Sequence, residues 1–320
     1  VTEKEVLKII PRVFHHISIH AQAEHRFSYI DPPLAQLPTD LEDIYIPDPG
    51  WPWLCWDWSQ IEDWIIGILC QDPQFLKELA EGWDKHTILC IELFDLPPCP
   101  DYTDPNSPAW RRACNLINCR HENRRCYEQV RPGDIAEWQW EVSWKGKDDL
   151  RRKLAKNLGH ALKYGKDPRL AHHMPGFKAA GIPKERAIRG ASRYLARYPL
   201  MLEWRARVAD YALRTGEVRD FTGRRWPIFE RDIEAVKRRA YNGPGQMGVS
   251  SVHNTVMDLT NQTFGEDVLF KWGKHDSQKW AIIENLWDRI NPGIRKIVLR
   301  EWDVEGHPTV FPARFEEVWA

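Results

Sequence analysis

Two stretches of the chain carry side chains whose types and spacing can do chemistry. In Leu54-Cys55-Trp56-Asp57-Trp58-Ser59-Gln60-Ile61-Glu62, an apolar and aromatic run after Pro49-Gly50 ends on a carboxylate. The run predicts a buried strand, and Ile61, Trp64, Ile65 and Ile68 then recur at helical spacing. Asp57 falls where strand gives way to helix. Burying an ionised Asp is costly unless a cation pairs with it, so this place suits a metal ion or an Arg; it suits equally an Asp that caps the helix. In the second stretch Arg152, Lys156, His160 and Tyr164 recur every four residues. On a helix, successive members of such a series drift about 40° and climb ~6 Å, which puts two cations and two rings on one stripe ~18 Å long. A stripe of that length can grip a triphosphate at one end and a base at the other, and a solvated basic helix is its plainer use.

The elements that must hold these residues follow from the punctuation of the chain. The first helix runs to about Cys70, and Asp72-Pro73 breaks it and starts another. Pro97, Pro98, Pro100, Pro105 and Pro108 open a loop, so residues 97 to 147 are expected to be an insertion before a helix from about Asp149 to Lys163. The insertion holds Cys99, Cys114, Cys119, His121 and Cys126. Cys-x4-Cys-x-His-x4-Cys matches no common zinc spacing and reads more readily as buried thiols than as a structural zinc site. His15, His16, His20 and His25 lack a carboxylate or Cys partner, so a metal role is the weaker reading there as well. Ile182-Pro183 begins a further helix carrying Tyr194 and Tyr198, which continues past Pro199 through Leu202, Trp204 and Val208.

With 320 residues, 42% of them hydrophobic, the chain has the length and composition of one large or two ordinary globular domains. No apolar run approaches the roughly 18 residues of a membrane span and nothing resembles a signal peptide, so the expected setting is a cytoplasm with no membrane partner. Seven cysteines, odd in number and irregularly spaced, argue against a disulfide framework. The net charge of −1 excludes a uniformly basic nucleic-acid binder, but the charge is unevenly spread. Lys145 to Arg169 holds nine Lys or Arg against three Asp, and Lys184 to Arg239 fifteen against eight acids. A central basic block of this kind is what a phosphate-binding face produces, as is a solvated helix surface. The 17 Trp are expected to serve core packing, with base stacking open to one or two. The first residue is Val, from which a fragment, a processed product or a reduced form of something longer is expected.

Asp57-Trp58-Ser59-Gln60-Ile61-Glu62 resembles the first palm motif of the family A DNA polymerases, the DNA polymerase I type, whose signature is Asp-Tyr-Ser-Gln-Ile-Glu. Other parts of that family follow in order. Arg26-Phe27-Ser28-Tyr29-Ile30-Asp31-Pro32-Pro33-Leu34-Ala35-Gln36-Leu37-Pro38 is similar to the family's Gly-Arg-Leu-Ser-Ser-x-Asp-Pro-x-Leu-Gln-Asn-Ile-Pro, with His25 in place of the Gly. Gly82-Trp83-Asp84-Lys85-His86-Thr87 is similar to Gly-x-Asp-x-His-Thr, and the Arg152 stripe to the fingers helix Arg-x3-Lys-x3-(Phe or Tyr)-Gly-x2-Tyr-Gly. Thr222-Gly223-Arg224-Arg225-Trp226 resembles the family's Gly-Arg-Arg. Arg238-Arg239-Ala240-Tyr241-Asn242-Gly243-Pro244-Gly245-Gln246 resembles Arg-x2-x-Asn-x-Pro-x-Gln. His275-Asp276-Ser277 stands near the family's spacing for His-Asp-Glu, with Ser277 replacing the Glu, and His160 and Ala161 replace the fingers ring and Gly.

The resemblance implies an α+β fold: a polymerase palm, an antiparallel sheet with helices, plus α-helical fingers, with thumb and exonuclease domain largely absent. Residues 1–80 and 241–320 would form the palm and 81–240 the fingers. It implies a template-directed DNA polymerase core in which Asp57 and Asp276 hold two Mg²⁺ ions, and phosphoryl transfer needs no covalent nucleophile from the protein. Glu62, His86, Arg152, Lys156, His160 and Tyr164 would contact the incoming nucleotide. His86 and Arg152 would take its outer phosphates and Lys156 those nearer the sugar, while Tyr164 stacks near the templating base and Glu62 fills the volume of a 2′-hydroxyl. Arg26, Arg224, Arg225, Arg238, Asn242, Gln246 and His275 would contact DNA, Asn242 and Gln246 reading minor-groove acceptors that report pairing shape rather than sequence. The implied partners are primer–template DNA and dNTPs, with accessory replication proteins as further candidates, for a monomer of low processivity from a bacterium or a phage-like source. Two alternatives stay open: a primer–template binding module that has lost catalysis, motivated by Ser277 and His160, and a single-subunit RNA polymerase, against which Glu62 argues.

Overall fold

A computed structural model of the chain describes residues 45–81, 83–94, 150–274 and 276–319, and the backbone of 17–18 and 28–29. In order, the elements are β1 (Ile17–Ser18), β2 (Ser28–Tyr29), β3 (Trp53–Trp58), α1 (Ile61–Cys70), α2 (Pro73–Ala80), α3 (Lys85–Phe94), α4 (Leu150–Lys163), α5 (Lys184–Arg197) and α6 (Pro199–Thr215). They continue with β4 (Glu217–Arg219), β5 (Arg225–Pro227), α7 (Ile233–Phe264), β6 (Val268–Gly273), β7 (Ser277–Ile282), α8 (Trp287–Val298), β8 (Glu301–Val304), β9 (His307–Val310) and β10 (Ala313–Val318). The chain divides into two compact units. A sheet unit takes Val1–Asp57, Val252–Ile297 and Phe315–Ala320, and a helical unit takes Trp58–Ser251 and Val298–Arg314. α7 contributes its first part to the helical unit and its last to the sheet unit.

The sheet unit is built on a four-stranded sheet in the order β10-β3-β7-β6. β3 is buried along nearly its whole length, with Asp57 its one partly exposed residue. A strand covered on both faces reads as a continuous apolar run rather than an alternation, which is how β3 looks in the sequence. β3 and β7 pair antiparallel, Trp53 opposite Ala281 through to Asp57 opposite Ser277. β6 and β7 pair antiparallel too, with a bulge between Phe270 and Trp272. Trp53, Cys55, Trp272 and Ala281 form a core on this sheet, covered by Tyr45, Trp51 and Val318. Trp53 and Trp272 meet edge to face at 5.5 Å, the arrangement that ring quadrupoles favour.

The helical unit packs α1 at its centre. Ile61, Ile65, Ile66, Ile68 and Leu69 are buried, so this helix is apolar nearly all round. Asp72 Oδ1 accepts from Phe75 N at 3.0 Å at the start of α2, while Oδ2 accepts from Leu200 N at 3.2 Å at the start of α6. One buried carboxylate thus satisfies two helix N-termini. Gly190 of α5 lies so close to α3 that a Cβ there would sit 3.0 Å from Leu93 Cα. Among the described residues no helix is long and apolar enough to cross a membrane.

Candidate functional site

Asp57 stands near the end of β3, directly across the ladder from Ser277. Asp276 sits one residue before Ser277, in the bend that joins β6 to β7. The two acids, 219 positions apart in the chain, therefore share one end of a paired strand set. Asp57 belongs to the strand, and α1 is preceded by Gln60 in a left-handed conformation (φ 56°) with no side-chain cap bond. That decides against the reading of Asp57 as a helix cap. Gln60 instead donates from Nε2 to Trp83 O at 3.0 Å and accepts from Lys85 N at 2.8 Å, tying the entry of α3 to the entry of α1.

The strand bearing Ser277 is positioned by polar groups. Gln278 is fully buried, donates from Nε2 to His253 O at 2.7 Å, and accepts from Trp280 Nε1 at 2.8 Å. Gly273 lets the β6–β7 hairpin approach α7, since a Cβ there would fall 2.5 Å from His253 Nε2.

A second group lies within the helical unit. In α4 the inward residues are Leu154, Ala155, Leu158, Leu162 and Lys163. Lys156 is exposed and His160 and Tyr164 are partly so, which puts these three off the packed face. The Tyr164 hydroxyl donates to Glu62 Oε1. His160 Nδ1 lies 3.5 Å and Lys163 Nζ 3.8 Å from the same oxygen. Burial works against the Glu62 charge, but Lys163, His160 and Tyr164 outweigh it and hold the carboxyl well below its ordinary value of 4.5. Glu62 is thus an anion at neutral pH, with its side chain 18% exposed.

His86 is buried at the start of α3, its ring 5.1 Å from that of His160. Gln246 Nε2 comes within 3.5 Å of the Tyr164 hydroxyl. Gly165 follows with φ +95° and leaves room for Tyr241, whose ring a Cβ would meet at 2.5 Å. Asn242 Oδ1 is buried without a hydrogen-bond partner. Arg224 donates to Ser251 Oγ at 2.9 Å, which donates in turn to Asp220 Oδ2 at 2.5 Å, so it ties the β4–β5 turn to α7. Arg225 and Arg238 are exposed. Arg26, His275, the Arg152 side chain, the histidines from His15 to His25 and the 97–147 insertion lie outside the described residues.

Buried ion pairs in the helical unit escaped the sequence reading. Lys163 Nζ lies 2.6 Å from Asp63 Oδ1, and Lys85 Nζ lies 2.7 Å from Glu78 Oε2. Arg197 and Tyr198 also donate to Glu78, at 2.6 and 2.5 Å. Burial pulls Lys85 down to about 8 despite Glu78, whereas Asp63 and Glu62 overcome burial at Lys163 and raise its pKa. The signal that was available is a charge on an apolar face: Asp63 among the isoleucines and leucine of α1, and Lys163 in line with Ala155 and Gly159.

The acid pair offers hard oxygen donors. Mg²⁺ is usually bound through one or two carboxylates, with waters and substrate phosphates completing its shell. The donor set of Asp57 and Asp276 fits that pattern. Among the described residues no three or more His, Cys, Asp or Glu side chains gather as a group able to hold a metal.

No family model matches the chain. It is 25% identical over 238 residues to the thermostable DNA polymerase I of Thermus thermophilus, covering 71% of this chain and 22% of that protein. It is 24% identical over 303 residues to DNA polymerase I of Pseudomonas aeruginosa, covering 88% of this chain and 27% of that protein. The chain therefore spans about a quarter of the length of these curated relatives. Among solved structures, the POL domain of Pol1 from M. smegmatis, in complex with DNA primer-template and dNTP, superposes with a TM-score of 0.66 at 18% identity, over 96% of this chain and 47% of that one. The fold is thus that of a DNA polymerase POL domain, mixed helix and antiparallel sheet. The chain is a divergent relative of the family A DNA polymerases, the DNA polymerase I type.

Proposed function

We propose that this chain is a template-directed DNA polymerase core that adds dNTPs to a primer 3′-hydroxyl. The observation that carries the reading is the pairing of Asp57 with Ser277, which brings Asp276 to the same sheet end. In this reading the sheet unit is the palm, and the helices around α4 are the fingers. Asp57 and Asp276 would hold two Mg²⁺ ions, which supply activation of the 3′-hydroxyl and charge neutralisation at the triphosphate. The protein's own part is positioning. Lys156, with Arg152 and His86, neutralises the phosphates; His160 faces the sugar; Tyr164 stacks at the templating base. Glu62, held as an anion, occupies the space of a 2′-hydroxyl, so a ribonucleotide meets a clash or a stranded polar group. Arg26, Arg224, Arg225, Arg238, Asn242, Gln246 and His275 would hold the primer–template duplex, its phosphates by the arginines and its minor groove by the amides.

The test is extension of a labelled primer with Mg²⁺ and dNTPs. Template-dependent growth supports the reading. Tight primer–template binding without growth, under conditions where DNA polymerase I extends, supports the binding-module alternative and overturns it.

A further inference from the structure

We propose that Lys163 is a positioning residue for sugar selection: buried between Asp63 and Glu62, it fixes the Glu62 carboxylate against Tyr164 and so sets how strictly a 2′-hydroxyl is excluded. The inference rests on the polymerase reading above and deepens it.

The geometry is a clamp of two neighbours on two neighbours. Lys163 and Tyr164, consecutive at the end of α4, engage Asp63 and Glu62, consecutive in the first turn of α1. The Lys163 side chain is 1% exposed and that of Asp63 3%. Such a pair is a poor way to gain stability, because an apolar pair of similar volume is usually as good or better in a buried place. Apolar side chains already fill the neighbouring positions, Leu158 and Leu162 on α4 and Ile61 and Ile65 on α1. A second effect of the cation explains its presence. Its Nζ is 3.8 Å from Glu62 Oε1, on the oxygen that also accepts from Tyr164.

The groups around Glu62 come from every element packed on it. α4 supplies Lys163, His160 and Tyr164, and α7 supplies Gly245, whose Cβ position is 3.7 Å from Glu62 Cγ. Asp63 and Asp84 add to the field on Lys163 itself. Of these groups Lys163 is the fully buried cation, so its charge is the least screened. Without it, burial works on Glu62 against His160 and Tyr164.

The test replaces both members of the pair, Asp63→Leu with Lys163→Leu, which removes one charge of each sign and leaves Glu62 facing His160 and Tyr164. Thermal melting reads the fold, and kcat/KM for a ribonucleotide against the matching deoxynucleotide reads selection. The expected result is an unchanged or higher melting temperature with selection relaxed about tenfold, the size of a coupling between contacting side chains. A folded double variant with wild-type selection overturns the inference and leaves the polymerase reading standing. Wild-type protein that extends no primer overturns both. A second measurement needs no variant: carbon-13 NMR of the wild-type carboxyls should find Glu62 still ionised at pH 4, and titration at the ordinary glutamate value overturns the clamp.

Discussion

The β3 end and the β6–β7 bend place two acids, Asp57 and Asp276, at one end of the paired strands, whereas in the helical unit the buried acids Asp63 and Glu78 each meet a lysine at 2.6 or 2.7 Å. The helical unit neutralises itself: Lys163 answers Asp63 and Glu62, and Lys85 with Arg197 answers Glu78. The sheet end carries Asp57 on β3 and Asp276 just before β7. In the proposed function that end of the sheet is where a metal ion and the substrate phosphates would meet the two acids. In the proposed function the difference separates residues kept for reaction from residues kept for positioning, even though all of them are acids.

The sharpest way to break that division is at the sheet end. Asp57→Ala or Asp276→Ala should lower primer extension by about a thousandfold or more while the melting temperature stays put, because charge neutralisation at the phosphoryl centre dominates this chemistry. Gel extension assays beside thermal melts check it, and a variant retaining near wild-type extension refutes the metal assignment.

The opposite signature is expected from the helical unit. Glu78→Leu strands Lys85, whose ammonium also lies 4.0 Å from the Phe75 ring centroid, in an apolar place. Loss of about 3–5 kcal/mol in denaturant unfolding is expected, since the cost of a broken buried pair is mainly the uncompensated charge. Stability unchanged by this substitution means Glu78 is not the anchor of that network.

Glu62→Ala sits between the two classes. It should raise ribonucleotide incorporation by about ten- to a hundredfold with little effect on dNTP use, the range that a lost clash and a lost polar mismatch supply. An unaltered ribo-to-deoxy ratio in single-nucleotide insertion kinetics counts against the assignment. Lys156→Ala, at an exposed position, should raise the dNTP KM about tenfold through one lost charge-assisted contact, with kcat less affected. A KM equal to wild type removes Lys156 from the phosphate site.

The smallest effect is on acid stability. Glu62 and Glu78 both have folded pKa values held below 4.5, in each case by cations that overcome burial. Groups shifted this way contribute stability that is fully present above the unfolded value and is lost as pH falls through the folded one. Denaturant midpoints should therefore fall progressively below about pH 4.5, and less so in Glu62→Gln. A midpoint indifferent to pH in that range contradicts the shifts.

Much of the positioning is legible in the sequence where apolar periodicity is clean. β3 reads as a continuous apolar and aromatic run, α1 as a helix ending at Cys70, and Asp72-Pro73 as the break that starts α2. The strands that carry the second acid do not read so plainly, for two physical reasons. The bulge between Phe270 and Trp272 shifts the alternation of β6, and in β7 the buried position next to Ser277 is a glutamine that satisfies itself on His253 and Trp280. Neither device leaves an apolar trace. Nor does local sequence reveal that Lys163 of α4 pairs with Asp63 of α1, since the match is made only by folding. The 17 Trp were expected in the core, and Trp53, Trp56, Trp58, Trp272 and Trp280 are buried there, while Trp319 is 51% exposed.

The most direct check of the account is divalent binding at the sheet end. Mn²⁺ titrated into the wild-type protein with primer–template and dNTP, read by electron paramagnetic resonance, should bind there, and Asp57→Ala and Asp276→Ala should each weaken it by about tenfold or more. Equal Mn²⁺ affinity in all three proteins would contradict the claim that these two acids hold the cation together.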